Sequence, residues 1–109
     1  MSITINIYYT GEEGNARVFA EEMISSGIVQ EIRSRDGNER YEYFLPMDDP
    51  QTVLLIDQWH DQAALDAHHA SELMGKIAEL RDKYDLHMRV ERFVPVEGQM
   101  DPDEKYIRK

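Results

Sequence analysis

The chain has 109 residues, of which 41% are apolar. That suits one domain with one core and little to spare, since a chain of this size buries roughly 60–70% of its unfolded surface. It has no cysteine, which excludes disulfides, thiolate metal sites, iron–sulfur clusters and cysteine nucleophiles. Its formal charge is −10, from 22 acidic and 12 basic residues; phosphate backbones and anionic lipid surfaces are repelled, so no nucleic-acid or membrane partner is expected.

Residues 2–9 alternate, with Ile3, Ile5, Ile7 and Tyr9 on one face and Ser2, Thr4, Asn6 and Tyr8 on the other. Period two means a strand. No basic region precedes it, so it reads as a strand and not as a signal peptide. No apolar stretch approaches the ~20 residues of a membrane span, and a cytoplasmic protein is expected. Residues 14–34 read as helical from Val18, Phe19, Met23, Ile24, Ile28 and Ile32, with a kink or break expected at Ser25-Ser26-Gly27. Asp36-Gly37-Asn38 stops the helix and turns the chain.

Residues 39–45 make a second strand with Tyr41, Tyr43 and Phe44, and residues 52–59 a third, the two forming a hairpin. Asp61 can cap a second helix that pauses near Ser71 and resumes to Tyr84. Residues 86–94 make a fourth strand. The domain is read as 1–95 and the polar tail as 96–109, with Gly98 and Pro102 in it and Tyr106 and Ile107 as its only apolar anchors. The order βαββαβ is a ferredoxin-like α+β fold with an antiparallel sheet. Both helices of such a fold cover one sheet face. The run Val53-Leu54-Leu55-Ile56 is apolar on both faces, so a homodimer that buries the opposite face is expected.

The stretch Leu55-Ile56-Asp57-Gln58-Trp59, followed by Ala64-Leu65-Asp66-Ala67-His68-His69-Ala70-Ser71, resembles the signature of the antibiotic biosynthesis monooxygenase family: an acidic-x-Trp strand end, then Ala-Leu-x-x-His and Ser on the next helix. Gly37-Asn38-x-Arg40-Tyr41 matches that family's Gly-x-x-x-Tyr entry into strand two. The resemblance covers roughly residues 3–94. It implies a dimer of the dimeric α/β barrel type, with a pocket between sheet and helices. Members include cofactor-free monooxygenases of quinols and anthrones, heme-degrading enzymes and an isomerase of a quorum-sensing signal. Fold alone does not choose among them.

His68 matches the family histidine and lies three residues from Leu65, so it can point inward. A neutral imidazole there can take a proton from a phenol or carbon acid, or it can be a core histidine. His69 fits the Leu65–Leu73 stripe, and only one of the two can face the pocket squarely. His60 reads as a solvated loop residue and His87 as a sheet residue. Trp59 can wall a flat aromatic ligand or cover the second helix as packing. Asn6 can donate to an oxyanion if its face lies under the helices, and otherwise faces a dimer interface or solvent. Tyr8, Asn38, Arg40, Tyr41, Tyr43 and Met74 complete the candidate substrate contacts, each with a packing or turn role as its alternative.

No metal is expected, because adjacent His68 and His69 cannot converge on one ion from a regular helix. No glycine-rich phosphate loop suggests nicotinamide or flavin, and no cofactor is expected. The heme-degrading branch is disfavoured, since its axial histidine falls near Ile77 and Ala78 here. The leading function is a cofactor-independent monooxygenase of a quinol or related phenol, a small aromatic ligand. The alternatives are an isomerase of a small oxygenated metabolite and a non-enzymatic ligand-binding dimer. A deep aromatic slot would favour the first, and a small polar pocket with a cation the isomerase.

Overall fold

The computed structural model describes residues 1–96 and 103–108; Gly98, Met100 and Pro102 of the tail lie outside them. Four strands, β1 (Ile3–Thr10), β2 (Asn38–Phe44), β3 (Thr52–Trp59) and β4 (His87–Phe93), form one antiparallel sheet in the order β2-β3-β1-β4. Helices α1 (Asn15–Ser25) and α2 (Ile28–Arg33) connect β1 to β2, and α3 (Gln62–His69) and α4 (Leu73–Lys83) connect β3 to β4. This is the ferredoxin-like α+β fold. The sheet of one chain is open and not closed into a barrel. No helix among the described residues is long and apolar enough to cross a membrane.

The odd residues of β1 turn toward the helices, because their apolar side chains pack beside Val53, Leu55 and Trp59 of β3. Phe19 and Met23 of α1 and Val29 and Ile32 of α2 close the core above them. Between α1 and α2 the chain breaks at Gly27, whose φ of 87° is left-handed and open to glycine at little cost. The break lets both short helices lay an apolar face on the sheet, and it aims the end of α2 at the Trp59 end of β3.

Gly37 makes the next turn at φ 85°, and an added Cβ would stand 2.5 Å from the Ala64 Cβ. Its carbonyl accepts the His60 N–H at 2.7 Å. The α2–β2 turn is thereby pressed against the first turn of α3, which Asp61 caps by accepting the Ala64 N–H at 2.9 Å. The pause near Ser71 is a true break, where the Ser71 hydroxyl donates to the His68 carbonyl at 2.7 Å.

Leu54 and Ile56 of β3 lie on the open face and stay half-buried, with Tyr8, Phe44 and the exposed Phe93. On the helix side, Met88 and Val90 remain exposed because β4 is the edge strand and α4 leaves it largely uncovered. In the tail, Tyr106 and Ile107 are exposed.

Candidate active site

His68 and Trp59 are the candidate residues that the fold brings together. His68 follows Leu65 by three residues, so the last turn of α3 carries both inward, and His68 is only 3% exposed. Its ring stacks on the indole of the fully buried Trp59, with centroids 4.8 Å apart and planes 22° apart. The indole is fixed from its other end: Trp59 Nε1–H donates to Asp57 Oδ1 at 2.7 Å.

A half-open cleft of about 360 Å³ adjoins this stack, lined by Trp59, His68, Ala64 and Ala67 on one side and by Ser34, Arg35 and Asp36 of the α2–β2 turn on the other. Strand one does not bound it. Two buried nitrogens of its lining, His68 Nδ1 and Arg35 Nε, have no hydrogen-bond partner among the described residues. Burial pushes the His68 imidazole down to about 4, with the charges of His69 and Arg35 adding to the effect, so it is neutral at pH 7. Burial also pushes Asp57 up from 3.8 to about 7, against the pull of the Trp59 hydrogen bond.

These two shifts oppose each other in stability. The unfolded chain protonates its histidine near pH 6.5 while the folded imidazole resists, so stability is lost as pH falls from 6.5 through about 4. Folded Asp57 keeps its proton while the unfolded carboxyl loses it near 3.8, so stability is lost as pH rises from there through about 7. Asp57→Asn removes the second slope alone. Its Tm is expected to fall more steeply than that of the wild type between pH 6.5 and 4, read by circular dichroism. Parallel curves for the two proteins would contradict these environments.

His69 does not continue the apolar stripe. It is exposed, its ring 5.8 Å from that of His68, because α3 ends there and α4 restarts out of phase. Asn6 and Tyr8 lie on the open sheet face, away from His68, since the apolar odd residues of β1 take the helix side. Asn6 Oδ1 is buried there without a hydrogen-bond partner among the described residues, and Tyr8 lies under the Arg89 guanidinium at 4.0 Å. Arg40 is on that face too, bound to Glu42 at 2.9 Å, because the irregularity between Asn38 and Arg40 shifts the register.

Asn38 shows a turn role, its amide 3.4 Å from the carbonyls of Arg40 and Gln58. Tyr41 and Tyr43 share the helix side with Asp57, ring edge to ring face at 5.9 Å, inside the core and outside the cleft. Burial raises the hydroxyl pKa of both. Met74 packs against the core. His60 and His87 are solvated.

Arg35 and the buried state of Asp57 were not anticipated as site features. Asp57 was visible only as the acidic member of the acidic-x-Trp pair. Arg35 carried no signal beyond its place before Asp36-Gly37, a turn that the fold uses to form the cleft.

Residues 2–80 match the profile of the family described as antibiotic biosynthesis monooxygenase. YcnE of Bacillus subtilis (strain 168), a candidate monooxygenase, is 29% identical over 62 residues, which are 54% of this chain and 65% of that protein. The chain therefore spans just under two thirds of the length of that curated relative. In fold it is similar to a candidate antibiotic biosynthesis monooxygenase of Deinococcus radiodurans, with a TM-score of 0.76, 16% identity and coverage of 93% of this chain and 98% of that one. It is similar also to SnoaB, a cofactor-independent oxygenase of Streptomyces nogalater, with a TM-score of 0.72, 16% identity and coverage of 93% and 97%.

Proposed function

We propose that this chain, which belongs to the antibiotic biosynthesis monooxygenase family, is a cofactor-independent monooxygenase that oxidises a quinol or related phenol with molecular oxygen at the His68–Trp59 cleft. The observation that carries this reading is the buried, neutral His68 stacked on Trp59, its Nδ1 without a hydrogen-bond partner among the described residues. A bare ring nitrogen beside an aromatic wall can accept the hydroxyl proton of a flat phenol.

Ground-state oxygen is a triplet and reacts slowly with closed-shell molecules, but an electron-rich phenolate can hand it one electron directly. Recombination of the resulting radical pair forms the C–O bond of a peroxide, and loss of water leaves the hydroxyquinone. One oxygen atom enters the product, the other leaves as water, and all four electrons come from the quinol. The chain need only bind, take a proton and limit water.

The test is oxygen uptake over a panel of chemically reduced quinones, with labelled oxygen followed into the product. Uptake above the protein-free rate with one label atom per product is expected. No uptake with any quinol would overturn the reading. A second reading, a proton-shuttling isomerase of a small oxygenated metabolite, is favoured by the Arg35 cation and modest size of the same cleft.

The working unit in this reading is a twofold dimer stacked through the open sheet faces. Half-buried Leu54 and Ile56 on that face support it, as does the buried Asn6 Oδ1, which has no hydrogen-bond partner among the described residues. Light scattering is expected to give twice the chain mass at micromolar concentration; a monomer would refute the arrangement.

A further inference from the structure

The indole of Trp59 and the carboxyl of Asp57 are closed off from water together, and the 2.7 Å between Nε1 and Oδ1 is short enough for a proton to cross. A buried carboxyl is costly to keep. The amide oxygen of an asparagine would accept from the indole equally well. What the carboxyl adds is a base. Indole gives up an electron more readily than most side chains, and once oxidised its N–H is strongly acidic. In a dry core that proton needs an acceptor at hand, and here one is in place. The chain has no cysteine to compete as an electron donor, and Trp59 is its only tryptophan. The ring stands against His68 at 4.8 Å, at the wall of the cleft.

We propose that Trp59 and Asp57 form a one-electron redox centre that disarms an organic peroxyl radical formed in the cleft. One electron leaves the indole and reduces the peroxyl to a peroxide anion, which takes a proton from water. The indole N–H bond breaks, an O–H bond forms on Asp57, and a neutral indolyl radical remains. A quinol then returns one electron to the ring, leaving as a semiquinone with its own proton released to water, and Asp57 returns the proton to Nε1. The peroxyl as oxidant rests on the cleft being an oxygenation site; the centre itself does not.

The surroundings keep the radical on Trp59. The imidazole stacked on it is neutral, so no positive charge there opposes loss of an electron. Around Asp57 stand Tyr41 and Tyr43 of β2 and Tyr9 of β1. Burial raises the hydroxyl pKa of all three, Tyr9 to about 12, so none readily sheds the proton that its own oxidation requires. The cations that act on these tyrosines are held at other groups. Arg33 of α2 donates to the Tyr41 carbonyl at 2.7 and 2.9 Å, and Arg81 of α4 to Met88 Sδ at 3.4 Å.

With a single indole in the chain, light at the red edge of indole absorption excites Trp59 alone. The electron acceptor is chloropentaamminecobalt(III), a cation drawn to this acidic chain, which falls apart on reduction and cannot return the electron. Flash absorption and electron paramagnetic resonance are expected to show the neutral indolyl radical in the wild type above pH about 7, with no tyrosyl radical following it. Below that pH Asp57 already holds a proton, and the spectrum should shift to that of the indole cation radical. Asp57→Asn should give the cation radical on both sides of it. Trp59→Phe should give no signal. Circular dichroism shows that the variants fold, and the wild-type pH series needs no variant.

The same neutral radical in the wild type and in a folded Asp57→Asn would overturn the proposal, as would a wild-type spectrum unchanged by pH. Prompt passage of the radical to a tyrosine, or quenched indole emission with no radical formed, would overturn it too. An Asp57-dependent radical in a protein that consumes no oxygen would keep the centre and discard the oxygenase with its peroxyl. Oxygen uptake without such a radical would do the reverse.

Discussion

Trp59→Ala is expected to lower the stability of the fold by about 3–5 kcal/mol, the range for emptying a large aromatic from a core. Trp59 is fully buried at the end of β3, where it supports the inner face of α3. Its removal would also take the stacked partner from His68 and the indole N–H that donates to the buried Asp57 carboxyl. Typical domains have only 5–15 kcal/mol in all, so the variant should unfold at much lower urea concentration, followed by far-UV circular dichroism. Trp59→Phe separates the contributions: it keeps an aromatic ring for His68 but loses the indole N–H, and should cost less. A Trp59→Ala variant as stable as the wild type would mean that this end of the sheet is not a core.

His68→Ala should reduce oxygen uptake with a reduced quinone by about 10²-fold or more, the usual effect of losing a positioned general base. The same change at the exposed His69 should leave both rate and stability near wild type, because that ring is solvated at the last residue of α3. Loss at His69 with retention at His68 would reverse the assignment.

The elements were legible in the sequence wherever one residue type forces a local outcome. The period-two run 2–9 matches β1, the apolar run within 52–59 matches β3, Gly27 breaks the first helix, Asp61 caps the second, and the pause near Ser71 separates α3 from α4. The inward step from Leu65 to His68 follows from helix geometry alone. The less legible features depend on tertiary placement. Asn6 was weighed under two face assignments, and packing of the odd residues of β1 against the helices sets it on the open face.

The stripe through His69 presumed one continuous helical phase, which the Ala70–Glu72 break ends. Arg35 reaches the cleft only because two left-handed glycines, Gly27 and Gly37, fold α2 and its turn back toward α3. No spacing rule relates residue 35 to residue 68. Asp57 looks like an ordinary strand-end carboxylate until its buried face and its hydrogen bond to the indole are known.

Trp59 is the only tryptophan of the chain, and it touches the groups whose states matter most. Its indole is walled from water, bonded to Asp57 and covered by the His68 ring. All of the protein's indole emission therefore originates at one defined place. A protonated imidazole quenches an indole in contact with it, whereas a neutral one does so weakly. The chain thus contains its own optical gauge of the proton on His68 and of any ring that enters beside it, and it needs no attached dye.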